Sequence, residues 1–371
     1  MDKIKVLHVI AYSHYPERFY SLLEEMSKFF DIYVLCSDFH TFQALSNYMP
    51  SRIYWIPSLN VGEFLSLKNT IFLFPNDLSR LLESLKVDII HIHTHFFLSN
   101  YQVVKYAKRL KIPTMLDVQG LIENKNIFVD FSQNVYIRSS LLKSLIYNVN
   151  GIRFVSAYDL LYMKKLYEKV NEKSKIIPNY VEIDKYYISE KTPFSVIWHG
   201  RLVRKKRIDY IIKAISELYS EYKISELKFY LVGYGPEYER LMRIAKKHNI
   251  IGRIFYKPYL RTRELISLLA KMEVIPYTSL YEGNPYSLLE AAACGVYPVG
   301  FKTPGTYETI RLLGGKLVND KAVSELAAAI SEIFSKGFNS NFFRKKVEEY
   351  FSPEKILSKL RNFYQEIIST V

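Results

Sequence analysis

Along most of this chain, short runs of consecutive apolar residues alternate with longer stretches in which apolar residues return every three or four positions. The short runs read as strands buried on both faces, and the longer stretches as amphipathic helices laid over them. Lys5–Ile10, Asp31–Leu35, Val87–Ile92, Thr114–Val118 and Gly151–Val155 are the strand candidates of the first half. Between the first two, Phe19, Leu22, Leu23, Met26, Phe29 and Phe30 recur near the helical period, and a further helix is predicted from Leu98 to Leu110. After a polar interval, Glu182–Pro193, the alternation restarts. Strands are predicted at Phe194–Trp198, Lys228–Val232, Ile254–Tyr256, Glu273–Pro276 and Tyr297–Phe301, with helices at Arg207–Tyr219, Glu237–His248 and Thr262–Ala270. Helices Ser324–Phe334 and Glu354–Thr370 close the chain. Repeated strand–helix units give parallel sheets covered on both faces. The expectation is therefore an α/β protein of two doubly wound, Rossmann-like domains, residues 1–185 and 186–350, followed by a helical segment 351–371. Ligands of such sheets bind beyond the carboxyl ends of the strands, so a substrate between the domains is the default expectation.

The length, 371 residues, suits two cores of ordinary size, and 49% hydrophobic content supplies both. No apolar stretch approaches a spanning helix without charge, and Met1–Leu7 runs straight into strand-like sequence, so a cytoplasmic chain without a signal peptide is expected. Cys36 and Cys294 lie in different halves, which fits a reducing compartment and neither a disulfide framework nor a zinc site. A net charge of +14 favours an anionic partner: a phosphorylated substrate, an anionic membrane surface or nucleic acid. The cations are spread along the chain, with no basic tail and no nucleic-acid-binding signature, so nucleic acid is set aside. A composition biased toward Lys, Ile and Tyr accounts for the charge equally well.

The richest stretch is Glu282-Gly283-Asn284-Pro285-Tyr286-Ser287-Leu288-Leu289-Glu290. A loop entering a helix presents backbone N–H groups and a positive dipole end, where phosphate binds readily. A carboxylate on either side can accept hydrogen bonds from hydroxyls, and phosphate flanked by hydroxyls describes a nucleotide sugar. An isolated pair of glutamates eight apart is more often a strand end and an exposed helix residue, so the neighbours must decide. Three other segments also follow predicted strands: Gly200-Arg201-Leu202 with Lys206, Gly233-Tyr234-Gly235-Pro236, and Thr303 to Glu308. Arg201 can clamp phosphate with two hydrogen bonds and Lys206 acts as a point charge. Gly233 and Gly235 let backbone approach a ligand closely.

In this order and spacing the segments resemble glycosyltransferase family 4, the retaining, GT-B group also known as glycosyl transferases group 1. The matching residues are Gly200-Arg201-Leu202 with Lys206, Gly233-Tyr234-Gly235-Pro236, Glu282 with Glu290, Glu290-Ala291-Ala292-Ala293-Cys294-Gly295, and Gly305 with Glu308. In the first half, Asp88-Ile89-Ile90-His91-Ile92-His93 and Ile177-Pro178-Asn179 extend the resemblance over nearly the whole chain. It implies two Rossmann-like domains facing across a cleft, with the last helix returning to the first. It also implies transfer of a hexose-type sugar from a nucleotide diphosphate sugar to a sugar or lipid-linked acceptor, with retention, without a metal and without a cofactor. Arg201 and Lys206 would neutralise the leaving diphosphate. Glu282 would hold the donor sugar, Glu290 would accept from the ribose hydroxyls, and Gly283, Asn284, Pro285, Tyr286 and Ser287 would line the donor site with Gly200, Gly233 and Gly235. Gln119 and His14 are the acceptor-side candidates.

The chain departs from the family pattern in three places. Ala11–Pro16 contains no glycine where many members have a Gly-rich turn; Gln119 stands where many have histidine and cannot titrate; and Lys206-Arg207 replaces Lys-Gly, adding a cation. These departures keep open a catalytically silent nucleotide-sugar-binding protein, and the shared fold keeps open a nucleotide-sugar 2-epimerase. His91, His93 and His95 alternate and so share a strand face, but a structural or acceptor-side role outweighs metal binding. Tyr136–Val149 mixes basic and apolar residues; a core-facing helix outweighs a membrane-surface one.

Overall fold

A computed structural model describes residues 3–10, 16–47, 52–56, 58–60, 71–73, 75–95, 97–120 and 138–371. The chain divides into two compact units, Met1–Ile177 with Leu357–Val371, and Pro178–Ile356.

In the first unit, β1 (Lys5–Ile10), β2 (Asp31–Cys36), β3 (Ile53–Trp55), β6 (Ile89–Ile92), β7 (Thr114–Val118), β8 (Gly151–Phe154) and β9 (Ser174–Ile176) form one sheet in the order β3-β2-β1-β6-β7-β8-β9. Every neighbouring pair is parallel. A separate antiparallel pair, β4 (Ser58–Asn60) and β5 (Ile71–Leu73), lies outside this sheet. Leu7, Ile90 and Leu116 on one face and Val6, Ile89 and Met115 on the other are completely buried, as strands covered on both faces require. Helix α5 (Ser140–Asn148) turns Leu142, Leu145 and Ile146 into the core, so it is a core-facing helix; Tyr136 and Ile137 lie outside the described residues.

The second unit repeats the plan with six strands: β10 (Ser195–His199), β11 (Lys228–Val232), β12 (Ile254–Lys257), β13 (Val274–Tyr277), β14 (Tyr297–Phe301) and β15 (Lys316–Val318). Their order is β12-β11-β10-β13-β14-β15, all parallel. The strand order reverses at β10, which lies between β11 and β13, and such a reversal opens a crevice at the carboxyl ends.

The polar interval after Ile177 is not a free linker. Val181 donates its N–H to the Phe351 carbonyl at 3.1 Å. Arg344 donates to the carbonyls of Ile183, Tyr186 and Ala293, and Lys191 to those of Ala270 and Cys294. Cations at helix C-termini satisfy carbonyls that have no partner within the helix, and here they bind residues 183–191 to two helix ends. The division between units therefore falls at Ile177, ahead of the expected boundary at 185.

Candidate active site

All four candidate segments emerge from carboxyl ends of strands in the second unit. The loop after β10 carries Gly200, Arg201 and Lys206; the loop after β11 carries Gly233 and Gly235. These two loops are joined backbone to backbone. Gly200 N–H donates to the Val232 carbonyl at 3.0 Å, and Leu202 N–H to the Tyr234 carbonyl at 2.9 Å. Gly233 has φ +131°, and a Cβ there would lie 1.9 Å from the Gly200 carbonyl oxygen; at Gly235, with φ +158°, it would lie 2.4 Å from the Leu202 oxygen. Only glycine fits this seam. Gly233→Ala is expected to cost about 2–3 kcal/mol, seen as a lower urea midpoint, whereas Gly252→Ala, with nothing within 4 Å of its added carbon, should leave the midpoint unchanged.

Glu282 and Lys206 form a buried ion pair, Oε1 to Nζ 2.5 Å, with side chains 10% and 13% exposed. Burial alone would raise the Glu282 carboxyl, but the Lys206 and Lys205 charges outweigh it and hold it below its ordinary range. Burial likewise pulls Lys206 down, and Glu282 more than compensates, leaving the amine above its ordinary value. Both groups are therefore charged at neutral pH. Tyr277, its hydroxyl pushed up by burial to about 12, stays protonated and lies 2.9 Å from Ser287 Oγ. Arg201 is exposed at the loop surface.

Helix α10 (Tyr286–Ala293) begins at Pro285, whose ring has no group that could cap it. Tyr286 and Ser287 are partly buried in its first turn, and Glu290 sits on its second turn, 8% exposed. Asn284 turns its side chain inward. It accepts from the Asn179 N–H at 2.9 Å and donates to Thr309 Oγ1 at 3.0 Å, and its backbone carbonyl accepts from Asn179 Nδ2 at 2.8 Å, so Asn284 braces the turn. Gly283 is held from behind: a Cβ on Gly305 would lie 2.7 Å from the Gly283 oxygen.

Arg207, the cation that stands where the family pattern has glycine, is 9% exposed and faces inward. It donates to the Thr278 carbonyl at 2.7 Å and pairs with Asp320 at 2.6 Å, its guanidinium over Tyr210 and Phe301. These contacts offset the strain of a non-glycine residue at φ +49°.

Two residues that sequence reasoning left out flank Glu290. The Tyr186 hydroxyl donates to Oε1 at 3.1 Å, and His199 Nδ1 lies 3.9 Å from Oε2 while its Nε2 donates to the Ser287 carbonyl at 2.9 Å. His199 adjoins the Gly200 motif and could have been noticed. Tyr186 lies 104 positions from Glu290, and no local pattern links them.

In the first unit, a polar row crosses the sheet from His8 through His91 and Asp117 to Arg153, paired in register on adjacent strands at both ends. Arg153 Nη1 donates to Asp117 Oδ2 at 2.8 Å, His91 Nε2 lies 2.9 Å from Oδ1, and His91 Nδ1 lies 2.6 Å from the Tyr364 hydroxyl of the last helix. Gln119, the acceptor-side candidate, donates to Asp117 Oδ2 at 3.2 Å. His14 lies outside the described residues. His8, His91 and His93, rather than the alternating trio that includes His95, bring ring nitrogens within 4.8 Å of one another. The His91 and His93 rings stack at 4.2 Å, and lone pairs in near-parallel planes do not converge. His8 Nδ1 and His93 Nε2 are 2.7 Å apart, shorter than the roughly 3.3 Å that about 2.05 Å tetrahedral zinc–nitrogen bonds impose. At that separation His8 and His93 are joined by a hydrogen bond.

Two doubly wound parallel-sheet units in one chain, with the second carrying its loops at the strand-order reversal, define the GT-B glycosyltransferase fold. Residues 17–185 match Glycosyltransferase Family 4 and residues 182–350 match Glycosyl transferases group 1; the chain belongs to this family. It is 28% identical over 189 residues to the UDP-N-acetylglucosamine–peptide N-acetylglucosaminyltransferase GtfA subunit of Streptococcus pneumoniae, a match spanning 48% of this chain and 37% of that protein's length. It is 21% identical to the N-acetyl-alpha-D-glucosaminyl L-malate synthase of Bacillus anthracis, over 89% of this chain and 90% of that one. Among solved structures, Anabaena HepE in complex with UDP and glucose shares the fold, with a TM-score of 0.74 at 15% identity over 99% of this chain and all of that one. Among the described residues, no helix is long and apolar enough to cross a membrane.

Proposed function

We propose that this protein transfers a hexose-type sugar from a nucleotide diphosphate sugar to an acceptor hydroxyl with retention of configuration. The observation that carries this is the buried Lys206–Glu282 pair set beside the N-terminus of α10, which Pro285 does not cap with its side chain, with Glu290 one turn further on. Lys206 and Arg201 meet the diphosphate, the first-turn amides of α10 add N–H donors, and Glu290 accepts from the ribose hydroxyls. Glu282, held ionised, accepts from sugar hydroxyls. The bond from the anomeric carbon to the phosphate oxygen breaks as the acceptor oxygen bonds on the same face, and the acceptor proton passes to the departing phosphate oxygen. The step needs neither an enzymic nucleophile nor, in this reading, a metal or cofactor. The names of the relatives put N-acetylglucosamine first among sugars to test and UDP first among carriers. The basic charge supports a lipid-linked or polysaccharide-precursor acceptor at an anionic membrane face.

Thermal-shift screening against UDP-, GDP- and ADP-sugars is expected to give a shift with one carrier. Arg201→Ala, Lys206→Ala and Glu290→Gln should each remove it, and a shift surviving in all three sinks the site assignment. Labelled sugar appearing on an added acceptor separates transfer from silent binding. Failure to float with anionic vesicles removes the membrane component alone.

A further inference from the structure

Glu290 is held by a residue from outside the four loops. Its carboxylate stands on the second turn of α10, and rotation about the last side-chain bond of a glutamate is soft, so the helix alone does not fix the carboxylate plane. Tyr186 does: its hydroxyl donates to Oε1 at 3.1 Å. Tyr186 is itself immobilised, since its N–H donates to the Ile183 carbonyl at 3.0 Å and its own carbonyl accepts from Arg344 at 2.7 Å. Its ring packs against the core cluster containing Leu288, Leu289 and Ala291–Cys294. On the opposite side, His199 donates through Nε2 to the Ser287 carbonyl at 2.9 Å, and its Nδ1 lies 3.9 Å from Oε2.

We propose that Tyr186 is a positioning residue for donor recognition: its hydroxyl fixes the Glu290 carboxylate so that a vicinal diol can donate to both oxygens. This rests on the reading of Glu290 as the ribose contact. A carboxylate oxygen has two lone pairs, so Oε1 can accept from Tyr186 and from a ligand hydroxyl together. A diol presents two donors at fixed separation, and a freely rotating carboxylate would meet both only part of the time.

The test uses the full chain and calorimetric titration with UDP, GDP and ADP, each against its 2′,3′-dideoxy counterpart. Tyr186→Phe keeps the ring and its packing and removes only the donor. The expected result is about tenfold weaker binding of the preferred ribonucleotide, with the dideoxy affinity unchanged. Equal weakening of both nucleotides would show a merely structural role and overturn the proposal. Glu290→Gln is the reference. If it erases the ribose preference while Tyr186→Phe keeps it in full, this inference fails and the ribose reading stands. If Glu290→Gln keeps the preference, or the wild type has none, the ribose reading itself fails and takes the inference with it.

Discussion

Lys206→Met is expected to lower transfer by about a hundred- to a thousandfold and to destabilise the second unit by about 3–5 kcal/mol. The two effects have different origins. Catalytically, the substitution removes the cation that meets charge developing on the leaving phosphate. Structurally, it strands the Glu282 carboxylate, 10% exposed, without the charge that keeps it ionised. A second variant separates them. Lys206→Met with Glu282→Gln replaces both charges, so most of the lost stability should return while activity stays low. Urea denaturation and a sugar-transfer assay on the three proteins read both quantities. A double variant no more stable than the single would mean that the pair is not coupled. Recovered activity would mean that Lys206 does not act on phosphate.

The second large effect lies in the first unit. Asp117→Ala should cost about 3–5 kcal/mol, because Asp117 is completely buried and its loss leaves Arg153, 7% exposed, without its carboxylate. Burial alone would raise the Asp117 carboxyl, but Arg153 and then His91 and His93 hold it well below its ordinary range. Burial first, then neighbouring histidines, pushes His8 and His93 well below the ordinary 6.5, and burial pushes His95 down to about 3. All of these folded-state values lie below the unfolded ones. The unfolded chain therefore binds more protons on acidification, and the stabilisation present above pH 6.5 is lost as pH falls. The wild-type urea midpoint should decline from pH 7.5 to 5, the histidines acting first and Asp117 only in stronger acid. A midpoint independent of pH across that range counts against the buried row.

Most strands were legible because burial on both faces writes itself as uninterrupted apolar sequence. Lys5–Ile10, Thr114–Val118, Lys228–Val232 and Tyr297–Phe301 have the expected limits. Short edge strands left no such mark: Ser174–Ile176 and Lys316–Val318 each have only three residues and a polar start. The helix Ser340–Phe351 also went unread. It buries only Phe343, Val347 and Phe351, one side chain per turn among charged neighbours. At the site, glycines, cations and carboxylates after strand ends were readable as groups, but their partners were not. Arg207 follows Lys206 directly yet faces the other way, and Asp117 meets Arg153 only because β7 and β8 adopt one particular register. Side-chain direction and register are tertiary facts that residue spacing does not encode.

The glycine seam between the loops after β10 and β11 has a consequence for directed evolution. Its surface is main chain, which every codon encodes alike, so no exchange of side chain can redesign the groups it presents. Replacement of Gly233 or Gly235 will report damaged folding and say little about recognition. Libraries seeking an altered donor should instead diversify Tyr234, which projects from the same loop into solvent, and leave the glycines and Arg201 untouched.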